Sequence, residues 1–139
     1  MSKKKFNRTK LKDNNNPKIV YPDTIQVVNY DYPIFCFRHL HKNYNLDNCD
    51  EKEKSSLIEQ MAKLSQLTWK DIQNSNRHGI GSEKIAVNSI KTALPKFITE
   101  DVEFLLALRF QGKKPFLVHR DRFICHVIFI DNKFTVYNH

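Results

Sequence analysis

The last third of the chain constrains the fold most. Glu103 to Phe110, Pro115 to Arg120, Phe123 to Ile130 and Lys133 to Tyr137 are short runs of strand-forming residues separated by turn-like pieces. Such spacing is the signature of an antiparallel meander. The preceding segment has a different period. Leu57, Met61 and Leu64 recur at helical spacing, so a helix is expected over about Lys54 to Leu67 with one stripe against a core. Thr68 with Asp71 three residues later forms a capping box for a second, short helix, which the glycines at 79 and 81 end. Ile85, Val87 and Ile90 suggest a further helical turn, with Ser82 as its cap. Upstream, Pro33 to Leu40 reads as a strand, Ile25, Val27 and Val28 as a shorter one, and His41 to Glu53 as a polar loop. The expected class is α+β, with two or three N-terminal helices packed on a C-terminal antiparallel β-meander.

A length of 139 residues, 40% hydrophobic and 27% charged, suits one folded domain. The net charge of +8 is unevenly placed. Lys3, Lys4, Lys5, Arg8, Lys10, Lys12 and Lys18 face only Asp13 within the first twenty residues, a surplus of six that leaves a surplus of two for the rest. Residues 1–20 therefore read as a disordered basic arm, and 21–139 as a single α+β domain. Lysines on such an arm displace counterions from phosphates and bind nucleic acid without reading bases. No apolar run is long enough to span a membrane and none follows the basic N-terminus as a signal peptide requires, so a cytoplasmic protein with no membrane partner is expected. Three irregularly spaced cysteines, Cys36, Cys49 and Cys125, read as free thiols. Cys36, His39, His41 and Cys49 lack the spacing of a zinc finger, so no metal and no cofactor is expected.

The meander collects chemistry on one face. Taking Asp131-Asn132 as a two-residue turn pairs Ile130 with Lys133, Ile128 with Thr135, His126 with Tyr137 and Ile124 with His139. Strand alternation then projects Arg122, His126, Tyr137 and His139 from one face. Phe123, Cys125, Val127, Phe129, Phe134 and Val136 take the other. A tight turn at Asp121-Arg122 would add His119 to the polar face. Histidine, tyrosine and arginine can cleave RNA through its 2′-hydroxyl, since that reaction needs a base, an acid and cations at phosphorus. A second constellation is the loop Arg77-His78-Gly79-Ile80-Gly81-Ser82-Glu83-Lys84, whose glycines let backbone NH groups approach a phosphate. It lacks the Gly-Lys-Ser/Thr ending of a P-loop.

From these residues the C-terminal half, about 55–139, resembles the RelE/ParE-type toxin superfamily and its ribosome-dependent mRNA interferases. The likeness lies in two helices followed by a meander, the arginine of Leu106-Ala107-Leu108-Arg109-Phe110, the basic His119-Arg120-Asp121-Arg122, and the ending Tyr137-Asn138-His139. The resemblance implies a RelE-like core, with Arg109 and Arg120 or Arg122 on the phosphate and Tyr137 or His139 in proton transfer. With His126, these form the expected catalytic set. Lys3, Lys4, Lys5, Arg8, Arg77, His78 and Lys84 form the expected RNA-binding set. The expected function is RNA binding with metal-independent endoribonuclease activity. Expected partners are RNA or the ribosome, and an antitoxin protein. The alternative is a non-catalytic nucleic-acid-binding or protein-interaction module of mobile-element origin.

Overall fold

A computed structural model describes residues 31–76 and 79–139. The expected basic arm, the short strand at Ile25 to Val28, and Arg77 and His78 lie outside the described residues. Strand β1 (Ile34–Cys36) leads through a single 3-10 turn (Leu46–Asn48) to helices α1 (Glu51–Ser65) and α2 (Trp69–Gln73). Strands β2 (Glu83–Ala86), β3 (Phe104–Gln111), β4 (Lys114–Asp121) and β5 (Ile124–Ile130) follow. They form one five-stranded sheet in the order β1-β5-β4-β3-β2. The α+β class holds. The sheet is mixed rather than purely antiparallel, because β1 pairs parallel with β5. No described helix is long and apolar enough to cross a membrane.

Both helices start at capping boxes. Asp50 and Glu53 cap α1, each side chain accepting from the other's backbone N–H; Thr68 and Asp71 do the same for α2. Helix α1 thus begins three residues before the expected Lys54. Leu57, Met61 and Leu64, spaced four and three residues apart, are buried together with Trp69 and Ile72 of α2. They meet Leu108, Phe110, Phe116, Val118, Cys125 and Val127 of the sheet. Each such large side chain contributes about 1.5–3 kcal/mol by leaving water.

The other sheet face is covered as well. The segment 87–102 and the tail 131–139 lie over it, bringing Ile98, Val136 and Tyr137 against Ile85, Leu105, Ala107, Leu117, Ile128 and Phe129. Four expectations change here. Residues 83–86 are a strand rather than the start of a helical turn; they pair with Ala107 to Phe104 of β3, and one 3-10 turn (Val87–Ser89) follows. Residues 133–137 form no strand. The tail turns at Asp131 to Phe134, where Phe134 has φ 59°, and its one β-bridge among the described residues joins Tyr137 to Ile90. The β4–β5 turn is Arg122-Phe123, with Arg122 at φ 58° and Asp121 opposite Ile124, one residue later than expected. Finally, Leu117 pairs with Phe129 but Val118 with Val127, so Ile128 is an extra residue in β5. That bulge moves Phe129 off the helix face, and Val136 too joins the second layer.

Candidate functional site

Arg109 lies on β3 two residues from Ala107 and four from Leu105, so alternation directs it to the face away from the helices. Glu83 sits opposite Ala107 on β2 and therefore shares that face. The Arg109 Nη2 donates to Glu83 Oε1 at 2.8 Å, with the arginine only 5% exposed. A buried guanidinium in such a sheet requires this partner.

The tail brings Tyr137 to the same place. Asp131, wholly buried, accepts from Thr135 N at 2.8 Å with one carboxylate oxygen and from Val136 N at 3.0 Å with the other. Lys91 N donates to Val136 O at 2.7 Å, and Lys91 Nζ to Asn138 Oδ1 at 3.0 Å. Tyr137 is thereby pressed into the second layer, 4% exposed. Burial pushes its phenol above the ordinary tyrosine range, with Arg109 opposing and the carboxylates of Glu83 and Asp131 adding to the rise. The His139 ring lies over it, centroids 4.0 Å apart, with Nε2 3.7 Å from Asp131 Oδ2. Beside Arg109, Gly79 and Ile80 border a shallow cavity of about 290 Å³.

Three donors in this cluster have no acceptor among the described residues: Arg109 Nε, Arg109 Nη1 and the Tyr137 hydroxyl. Buried polar atoms are normally paired. Three orphan donors on two neighbouring side chains suit an acceptor-rich anion, which a guanidinium fork grips through two oxygens at once.

The remaining expected site residues lie elsewhere. His126 pairs with His119, not with Tyr137. Arg109 is level with Pro115, and His119 is four residues farther along β4, roughly 13 Å at strand rise. His126 packs with His119, His39 and Phe97 there. Burial, then the neighbouring His39 and His119, push the His126 imidazole below the ordinary histidine range. Arg120 points to the helix face, its guanidinium 3.9 Å from the Trp69 ring centroid, and Arg122 is exposed in the hairpin turn. Lys84 also faces the helix layer, its Nζ 4.6 Å from the Phe104 ring centroid. Lys84, Phe104, His119 and Arg120 border a cleft of about 410 Å³. The single expected catalytic cluster is thus divided: Arg109, Tyr137 and His139 come together, while His126, Arg120 and Arg122 do not join them. Lys3, Lys4, Lys5, Arg8, Arg77 and His78 lie outside the described residues.

Glu83 and Asp131 complete the cluster; the sequence offers Glu83 only as a possible base, with no paired carboxylate to recommend it. The signal for Glu83 is its position two before Ile85, which on a strand places a charge on an apolar face. Asp131 reads simply as a turn residue, and nothing local announces a buried carboxylate. No family model matches this chain, and no curated protein or solved structure matches it.

Proposed function

We propose that this chain is an RNA-binding protein of RelE/ParE type that cleaves RNA without a metal at the Arg109–Tyr137–His139 cluster. The observation that carries the reading is the set of three orphan donors, Arg109 Nε, Arg109 Nη1 and Tyr137 Oη, beside the His139 ring. Two helices followed by the antiparallel series β2 to β5 support the scaffold. In this reading the two free Arg109 groups grip phosphate oxygens and stabilise charge at phosphorus. Tyr137, whose raised phenol holds its proton at neutrality, serves as acid toward the departing 5′ oxygen. His139, at the rim, takes the 2′-hydroxyl proton. The natural setting is a toxin acting on mRNA at the ribosome and held in check by an antitoxin protein.

Induced expression of wild type and Tyr137→Phe, with growth and mRNA integrity as readouts, tests this. The Tyr137 hydroxyl has no acceptor to lose. The variant should therefore melt like wild type while cleavage falls by about 10²–10⁴-fold. Intact mRNA on wild-type expression removes the nuclease. A second reading, a non-catalytic nucleic-acid binder, draws on the cation–aromatic pairs Arg120 with Trp69 and Lys84 with Phe104 at the far cleft. RNA binding lost in Arg120→Ala, with no cleavage by wild type, would select it.

A further inference from the structure

Phe97 lies in the segment over the second face and is enclosed by three imidazoles from three other parts of the chain. The His39 ring stacks on it at 3.7 Å and 7°, His126 lies at 4.7 Å and His119 at 5.7 Å edge-on. The imidazoles are themselves close, with His126 5.6 Å from His39 and 6.2 Å from His119. The His126 Nδ1 is buried without a partner. A neutral ring tolerates this arrangement better than a charged one. Protonation would turn Nδ1 into a buried donor with no acceptor and set like charges side by side.

The same segment holds the tail. Ile90 bridges Tyr137, and Lys91 binds Val136 and Asn138. Phe97 is the aromatic anchor between that hold and Val102, where the chain enters β3. We propose that the Phe97 cage is an acid-released latch: neutral His126, packed with His39 and His119 around Phe97, holds residues 91–102 on the sheet, and its protonation frees this strap and loosens the tail that carries Tyr137. The charged groups facing the cage are Asp101, which acts on His119, and Asp121, which acts on His126. Both carboxylates are exposed, so water and salt screen them from the centre of the cage. The His126 imidazole, already depressed, works in the same direction. A group held below its unfolded value adds stability that is complete above that value, 6.5, and is lost as pH falls through the lower, folded one.

Amide hydrogen exchange on the full chain at about pH 7.5 and about pH 5.5, corrected for intrinsic rates, reads the latch whether or not RNA is cleaved. Wild type should lose protection at 94–102 and at Val136 and Tyr137 on acidification, while β3 to β5 keep theirs. The loss should be about tenfold for each unit by which the His126 imidazole is held down. His39→Gln and His119→Gln, examined singly, should each shrink the acid response, and protection of β3 to β5 at the higher pH shows that each variant folds. Equal protection of wild type at both pH values, or an acid response undiminished in every variant that folds, overturns the latch.

Discussion

Glu53 shows how one side chain can join three parts of a small fold. Its Oε1 accepts from Asp50 N at 2.9 Å and from Asn132 Nδ2 at 3.1 Å, and its Oε2 accepts from Lys114 Nζ at 2.8 Å. It therefore closes the start of α1, ties that start to the β3–β4 hairpin, and fixes the turn from which the tail departs. Lys114 above all, then the backbone N–H of Asp50 and the side-chain amide of Asn132, hold its carboxyl down to about 2 against the burial that opposes them. A carboxyl with a lowered folded value contributes stability that is whole above its unfolded value, 4.5, and is lost as pH falls toward about 2. Glu53→Gln should thus cost about 1–3 kcal/mol at neutral pH. It should also flatten the acid limb of the denaturation curve; identical acid limbs for variant and wild type would remove Glu53 as a contributor. The capping box Asp50 to Glu53 escapes the sequence reading. Within the polar stretch from His41 it reads as loop, because apolar periodicity begins only at Leu57.

At the scale of elements, the helices and three long strands follow from local pattern, whereas the tail does not. Val127 to Ile130 are four consecutive apolar residues buried on both faces, so no polar alternation marks the extra residue at Ile128. An alternation count carried through that point places Phe129, Ile130 and Val136 on the wrong face, although Tyr137 does lie on the face away from the helices. Beyond Ile130 the Asp131 carboxylate accepts the backbone N–H groups of Thr135 and Val136 that a hairpin would have paired with β5. The segment after α2 was equally ambiguous: Ile85, Val87 and Ile90 suit a helical stripe, but β-branched residues pair well as a strand, and β3 offers the edge. Its glycines have distinct duties. A Cβ on Gly81 would lie 2.2 Å from Ser75 O and 2.7 Å from Asn76 O, both backbone atoms, whereas at Gly79 the nearest atom is Asn76 O at 3.7 Å. Gly81→Ala should therefore lower stability by about 1–3 kcal/mol and shift β2, and Gly79→Ala should leave the melting curve nearly unchanged. Equal melting of the two variants would refute this division of labour.

Across the whole molecule, the two sheet faces have separate cores, and the Arg109–Tyr137–His139 cluster lies in the second. The helix layer encloses Arg120 against Trp69; the layer of strap and tail encloses Arg109, Tyr137 and the histidine cage. Such a body carries a surplus of only two positive charges once residues 1–20 are set apart with their surplus of six. Nonspecific attraction to RNA and chemistry on it should then be separable. Each phosphate neutralised on a single strand contributes about 0.7 to the slope of log affinity against log salt. Removing residues 1–20 should consequently lower RNA affinity at low salt and reduce that slope by up to about 4 if all six surplus charges engage phosphate. The amount of cleavage per bound RNA should stay the same, because Arg109, Tyr137 and His139 lie in the body. Filter binding over a salt series, with single-turnover cleavage at saturating protein, measures both quantities on one preparation. An unchanged slope shows that the arm does not touch RNA; a fall in saturated cleavage shows that it does more than bind.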